Sequence, residues 1–132
     1  ELNYPAPVLD EKSLRKIRKS LLKENGPASA NVLEQWGISP AEILPGVICP
    51  QCSDLSMMRV SSSWYCPNCR AISKDAHVQA IKDYFLLFGP SITNKQCRDF
   101  LLISSRKTAH KILKSMNLFS LGYTKGAYYI ER

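Results

Sequence analysis

Two cysteine pairs, Cys49-Pro50-Gln51-Cys52 and Cys66-Pro67-Asn68-Cys69, stand thirteen residues apart in the middle of the chain. A C-x-x-C pair lets two sulfurs aim at one point from a single tight turn. Two such turns, brought together by a hairpin, complete a tetrahedral all-sulfur site suited to Zn²⁺. The intervening segment suits that hairpin: Met57 to Val60 and Ser63 to Tyr65 read as short strands, with Ser61 and Ser62 at the turn. The spacing predicts a zinc ribbon in which Cys49, Cys52, Cys66 and Cys69 hold one zinc ion per chain. Four thiolates leave no position for water or substrate, so the metal is expected to be structural and not catalytic.

Two other uses of such cysteines compete. Paired disulfides belong to secreted chains, but the N-terminus has no signal-peptide pattern and a fifth cysteine, Cys97, is left over. A thioredoxin-like redox pair needs a single C-P-x-C in a βαβ surround, and neither condition is met. Cys97 lies between Gln96 and Arg98 in an expected helix and reads as a small core residue.

The chain's 132 residues allow one ordinary domain or two to three very small ones. A unit of roughly 50 residues buries too little apolar surface to be secure alone. Structural zinc, worth roughly 10–16 kcal/mol, removes that problem. The composition, 45% hydrophobic and 22% charged, is globular. The longest apolar runs are about five residues, as in Tyr84 to Phe88, so no membrane-crossing helix is expected. The chain lacks an initiator Met, which fits a fragment or a processed form.

The net charge of +7 favours a polyanionic partner, and it is unevenly spread. Residues 1–46 carry six basic and six acidic groups, residues 47–74 three and one, and residues 75–132 nine and four. Solubility alone is the plain alternative reading of such an excess.

The basic C-terminal part reads as a winged helix-turn-helix. Lys74 to Phe88 has apolar residues at Val78, Ile81, Phe85 and Phe88, one buried helical face, with Ser73 as cap and Gly89-Pro90 as stop. Thr93-Asn94-Lys95-Gln96 fits a capping box and opens a short helix to about Leu101. After the turn Leu102-Ile103-Ser104, Ser104 or Ser105 caps a third helix to about Met116. Ala109, Ile112, Leu113 and Met116 share one face of it, and Arg106, Lys107, His110, Lys111 and Lys114 the other. Phe119–Leu121 and Ala127–Ile130 can pair around Gly122-Tyr123-Thr124-Lys125-Gly126, a candidate wing with Lys125 at its tip. The pattern predicts a recognition helix whose Ser105, Arg106, Lys107 and Thr108 enter a DNA groove, with Lys125 on a phosphate. Winged helices also dock proteins, and a solvated basic face is the bland alternative. His77 reads as a helix-surface residue near the ribbon, and His110 as an auxiliary polar contact on the basic face.

Residues 1–46 read as a helical lead-in. Asp10 to Asn25 has Leu14, Ile17, Leu21 and Leu22 on one side and stops at Asn25-Gly26-Pro27. A short helix is expected from Asn31 to Trp36, and Ser39-Pro40-Ala41-Glu42 carries cap, N1 proline and N3 glutamate for a further turn. Trp36, Val32 and Leu33 are candidates to pack on the ribbon or the winged helix.

A family resemblance covers about Pro27 to Ile130. The stretch from Asn31 through Ser39-Pro40 to Gly46-Val47, the two C-P-x-C pairs, Ser73-Lys74-Asp75-Ala76-His77, Asp83-Tyr84-Phe85-Leu86-Leu87, Ile92-Thr93-Asn94-Lys95, Arg98-Asp99-Phe100-Leu101, Leu113 to Leu118 and the Thr124-Lys125-Gly126 turn resemble the tail of bacterial nuclease-related-domain (NERD) proteins. In that family a nuclease-like domain precedes such a tail, so the resemblance implies DNA-related work and an upstream domain. A metal-dependent nuclease site needs an Asp and a Glu-x-Lys on a sheet. Residues 1–46 offer Glu1, Asp10 and Glu11 without either, so the chain itself is expected not to be an enzyme, and no residue is assigned a catalytic role.

The expected fold is α+β, mostly α: a helical lead-in (1–46), a zinc ribbon (47–74) and a winged helix-turn-helix (75–132). The expected function is a zinc-stabilised DNA-binding module, targeting or regulatory. It favours duplex DNA and works in the bacterial cytoplasm at the nucleoid. Arg59, Trp64 and Tyr65 on the ribbon are candidate contacts for single-stranded or branched DNA, with packing as the other role for Trp64. The alternative is a protein–protein docking module that uses the winged helix and the ribbon, with apolar residues such as Phe119 and Tyr123.

Overall fold

The computed structural model describes residues 10–24 and 32–132, and for residues 20–24 the backbone only. The expected helix stop at Asn25-Gly26-Pro27, the helix start at Asn31 and the side chains of Leu21 and Leu22 lie outside the described residues. The chain forms two compact units, Glu1–Ala30 and Asn31–Arg132.

In the first unit, helix α1 spans Glu11–Glu24. Its start is set by Asp10, whose carboxylate accepts the Ser13 N–H at 3.0 Å and so satisfies one of the helix's free donors. Hydrogen bonds from Ser13 hold the Asp10 carboxyl below the usual carboxylate range. Leu14 and Ile17, the described part of the expected apolar side, are exposed.

The second unit opens with the one-turn helix α2 (Val32–Gln35), which buries Leu33 and packs against α3 (Ala76–Phe88). Trp36 stays exposed, so Leu33 is the anchor of this segment. The 3₁₀ turn Pro40–Glu42 carries the capping box expected of it, with the Ser39 N–H donating to Glu42 Oε2 at 2.7 Å. Gly46 then turns the chain toward the ribbon. Its N–H donates to the Phe100 carbonyl at 2.7 Å, its φ is +138°, and a Cβ there would press 3.2 Å from the Leu55 side chain. Only glycine meets all three conditions without strain.

The ribbon is a three-stranded antiparallel sheet, β1 (Met58–Val60), β2 (Ser63–Tyr65) and β3 (Ile72–Ser73), in the order β1-β2-β3. The first two strands stand where the sequence places them. The third was not expected there and corrects the start of α3. Ser73 is in the sheet, and its hydroxyl accepts the Asp75 N–H at 3.3 Å and donates to Asp75 Oδ1 at 2.9 Å. The helix therefore begins at Ala76, not Lys74.

After α3 come β4 (Ser91–Thr93), α4 (Asn94–Leu101), α5 (Arg106–Ser115), β5 (Phe119–Leu121) and β6 (Tyr128–Ile130). The second sheet is antiparallel with order β4-β6-β5, so β4 pairs with the hairpin from the far end of the segment. Both helix starts follow the sequence. Thr93 Oγ1 accepts the Gln96 N–H at 3.2 Å, Gln96 Oε1 accepts the Thr93 N–H at 2.9 Å, and Ser105 Oγ accepts the Thr108 N–H at 3.2 Å. Between α4 and α5, Leu102 closes α4 at φ 55°, with its N–H on the Arg98 carbonyl.

The buried face of α3 is His77, Ala80, Ile81, Tyr84 and Phe85. The expected face was turned by part of a step: Val78 is half-buried and Phe88 exposed. His77 displaces them because its Nδ1 finds a partner in the Trp64 indole, and Tyr84 because its ring packs against aromatic neighbours. Tyr84 stacks among Phe88 at 4.9 Å and Phe100 at 5.2 Å. His77 is buried, contrary to its expected surface position, and its Nδ1 accepts the indole N–H of Trp64 at 2.9 Å. One continuous core results. Val47, Cys49, Met57, Trp64 and Cys66 of the ribbon join Ile81 and Phe85 of α3, Ile92 of β4, Cys97 and Leu101 of α4, Ile112 and Leu113 of α5, and Tyr129 of β6. Cys97 is fully buried, as expected, and burial pushes its thiol up to about 12, so it stays protonated.

Burial first, and then Arg59, push the His77 imidazole below its ordinary value, with Asp75 acting in the opposite sense. The unfolded chain protonates this histidine near about pH 6.5, and the folded chain resists it. Stability present above that pH is therefore lost as pH falls from about 6.5 toward the folded value. Urea unfolding at pH 7.5 and pH 5.5 should show a larger loss for the wild type than for His77→Gln, which keeps an acceptor for Trp64 but cannot titrate. Equal losses in the two proteins would refute the assignment.

Candidate metal centre and basic face

Each cysteine pair folds into the same knuckle. The Ser53 N–H donates to the Cys49 carbonyl at 2.9 Å and the Cys49 N–H to the Asp54 carbonyl at 2.8 Å. In the second knuckle the Arg70 N–H donates to the Cys66 carbonyl at 2.8 Å and the Cys66 N–H to the Ala71 carbonyl at 2.9 Å. Both turns close through a non-glycine residue in the left-handed region, Ser53 at φ 62° and Arg70 at φ 64°. The β1–β2 hairpin brings the knuckles face to face.

Sulfurs from opposite knuckles then lie 3.6 Å apart, Cys49 to Cys69 and Cys52 to Cys66, and all four ligand atoms fall within 4.8 Å of one another. A tetrahedron with metal–sulfur bonds of about 2.3 Å has edges of about 3.8 Å. The cluster therefore has the size and donor set for one metal ion. The thiols are free, and a spacing of 3.6 Å is far from a disulfide of about 2.05 Å. Further donors face the sulfurs: the Gln51 N–H points to Cys49 Sγ at 3.4 Å and Asn68 Nδ2 to Cys52 Sγ at 3.7 Å. The Cys69 and Asn68 N–H groups help hold the Cys66 thiol down at about 6 against the opposing effect of desolvation. Cys69 moves the other way. The Ala71 N–H favours its thiolate, but desolvation and the three neighbouring sulfurs push it up to about 12. Without a cation, then, Cys66 is drawn toward the thiolate while Cys69 is held as the thiol.

No family model, curated protein or solved structure matches the chain.

The basic face is built by α5. Its apolar side, Ala109, Ile112 and Leu113, is buried with Met116 packed at the edge, as the periodicity requires. Ser105, Arg106, Lys107, His110, Lys111 and Lys114 are exposed, and Thr108 is half-buried. The ion pairs among the described residues are Arg15–Glu11 and Lys95–Asp99, so none of the α5 cations is neutralised by one. Arg106 and Lys107 also sit at the positive end of the helix dipole, with no acid in the first turn. His110 is tied to the second sheet, its Nδ1 lying 3.0 Å from the Tyr129 hydroxyl. Lys125 is exposed in the loop between β5 and β6.

The ribbon contacts need a correction. Trp64 is 0% exposed and cannot present its ring to a base. It stands at the centre of β2 on the sheet's inner face, and its packing role prevails. Arg59, opposite it in register, lies over the ring with the guanidinium carbon 5.3 Å from the centroid. Arg59 Nε and Nη1 are buried without a hydrogen-bond partner among the described residues, and desolvation lowers its pKa. Arg59 is thus the lid of the tryptophan site. Tyr65 faces outward, half-buried.

Sequence reading missed what shares that outer face. Met58, Tyr65 and Ile72 are paired across the three strands, with Met58 53% and Ile72 72% exposed. The missing signal was β3: without its register, Ile72 has no neighbours.

Three outcomes test the centre. Substituting Arg70→Gly relieves the left-handed strain and should raise stability by roughly 1 kcal/mol in urea melts without altering metal content. Metal analysis should give one ion per chain. Chelation should abolish the near-UV circular dichroism of residues 31–132 in one transition, because the ribbon and helices share a core. A helical part that stays folded after chelation would contradict that sharing.

Proposed function

We propose that this chain is a zinc-stabilised DNA-binding module in which α3 to β6 form a winged helix-turn-helix, α5 is the recognition helix and the β5–β6 hairpin is the wing. The observation that carries the reading is the uncompensated basic face of α5. Five exposed basic side chains occupy ten residues, with no acid among them and Arg106 and Lys107 at the unfavourable end of the dipole. A row of phosphates would relieve both the mutual repulsion and the dipole clash. The order α3-β4-α4-α5-β5-β6, with β4 closing on the hairpin, supports the winged-helix reading. Four cysteine sulfurs within 4.8 Å of one another support zinc as the metal, in a purely structural role that would leave no open coordination position.

On this reading Arg106 and Lys107 approach the groove, Ser105 and Thr108 contact backbone phosphate, Lys111 and Lys114 follow the strand, and Lys125 holds a phosphate from the wing. His110 supplies a polar contact beside them. The module would serve as a targeting or regulatory tail, and the likeness to nuclease-related-domain proteins supports an upstream nuclease-like domain as the part it directs. A bacterial, nucleoid-associated setting follows from the same likeness. No described helix is long and apolar enough to cross a membrane.

A second reading, protein docking, is favoured by the exposed row Met58, Tyr65 and Ile72 on the ribbon. It uses a different face and predicts DNA affinity that vanishes near physiological salt.

Fluorescence anisotropy with labelled duplex, at several salt concentrations, decides between them. The four α5 cations alone, by neutralising the phosphates around them, give a slope of log K against log salt of about −3.6, before Lys125 is counted. The double substitution Arg106→Ala and Lys107→Ala should weaken binding and roughly halve that slope while zinc content stays at one per chain. Unchanged affinity in the double variant would remove α5 from the interface.

A further inference from the structure

The β5–β6 hairpin carries aromatic surface that its packing does not use. Leu121 stands opposite Tyr128 at the end of the ladder, and both are exposed. Beyond them Tyr123 is fully exposed, at 105%. A single exposed tyrosine is ordinary; this one is distinguished by how it is held and by what lies beside it. The loop is pinched at its neck. Gly122 has φ +86°, a Cβ there would come within 3.3 Å of the Ala127 Cα, and the Ala127 N–H donates to the Thr124 carbonyl at 2.9 Å. Lys125 is exposed two residues on, outside any ion pair of the described residues. β6 is joined to the basic face of α5 through Tyr129 and His110. The unit thus holds an aromatic ring, a loop cation and a basic helix, all facing solvent.

An aromatic ring stacks on a base only where a base face is free. In continuous duplex both faces of each base are covered by its neighbours. Free faces occur in single strands and beside the end of a duplex. With Trp64 buried, the ribbon offers no tryptophan for this purpose, whereas the hairpin tip offers Tyr123.

We propose that Tyr123 is a base-stacking residue that directs the module to DNA carrying unpaired bases next to a duplex, such as a tail or a fork. The proposal rests on the DNA-binding reading above and adds a substrate class to it: α5 holds the duplex and the tip takes the first unpaired base.

The test compares a blunt duplex with the same duplex bearing a single-stranded tail, with 2-aminopurine as the first unpaired base. The wild type should bind the tailed DNA about ten-fold more tightly and change the 2-aminopurine emission on binding. Tyr123→Ala should bring tailed affinity down to the blunt value, leave blunt affinity unchanged and abolish the emission change. Tyr123→Phe should behave as wild type, since stacking needs the ring and not the hydroxyl. The Arg106→Ala and Lys107→Ala variant should weaken both DNAs and preserve their ratio. Equal wild-type affinities, or a preference that survives Tyr123→Ala, overturns the stacking role while leaving DNA binding intact. Failure of the wild type to bind either DNA at low salt overturns the DNA-binding reading itself.

Discussion

Four sulfur atoms within 4.8 Å of one another are the constraint on which residues 31–132 depend. The geometry sets up a conflict that the protein alone does not resolve, with Cys66 drawn toward the thiolate and Cys69 forced toward the thiol. A dication bound among the four cysteines would remove it, because both sulfurs would then face one positive ion. The same ion would fix the two knuckles, and the knuckles fix the hairpin. Strands of two and three residues have too little ladder and too little buried area to hold a register alone. A metal ion held by the four cysteines would supply what the strands lack.

The consequence reaches beyond the ribbon because Trp64 does not stay within it. Strand β2 delivers its indole to α3, where His77 accepts the N–H, and Arg59 covers the ring from the other strand. An indole can only donate, so His77 must present a bare Nδ1, which ties the helix's buried face to one protonation state. Val47 and Met57 complete the joint. Ribbon and helical part therefore share one core, and the position of α5 is tied, through α3 and α4, to the ribbon that carries the cysteine cluster.

How much of this was legible depended on how local each cause is. The capping boxes at Ser39 and Thr93 and the Ser105 cap act within three residues, and each opens an element where the sequence places it. The cysteine cluster was legible because spacing alone forces the sulfurs together. β3 and β4 were not, because no simple hairpin turn joins either to its partner: Ile72 meets Tyr65 across the second cysteine knuckle, and Ile92 meets Tyr129 across the two helices and the hairpin that follow it. The face of α3 was misread for a related reason. A period of apolar residues ranks Val78 and Phe88 above His77 and Tyr84, and only the presence of Trp64 and Phe100 across the core reverses that order. Trp64 itself is ambiguous in sequence, since stacking on a base and packing in a core ask for the same ring.

The electrostatics of α5 show how a helix so unfavourable by itself is held in place. Cations at the first turn oppose the dipole by about 0.3–1 kcal/mol each. Like-charge neighbours such as Lys107 and Lys111 add about 0.2–0.5 kcal/mol per pair. Against this, Ile112 and Leu113 are buried on the opposite face, each worth about 1.5–3 kcal/mol. Burial exceeds repulsion, so the helix forms with its charges uncompensated. It forms without the charge-neutralising contacts that would otherwise occupy the face. The Ser105 cap and the Tyr129–His110 contact fix its start and its side. The charge is thus ordered before any partner arrives. Phosphates that meet it would find the cations already in place, at a cost met by the core and, through the core, by the four sulfurs.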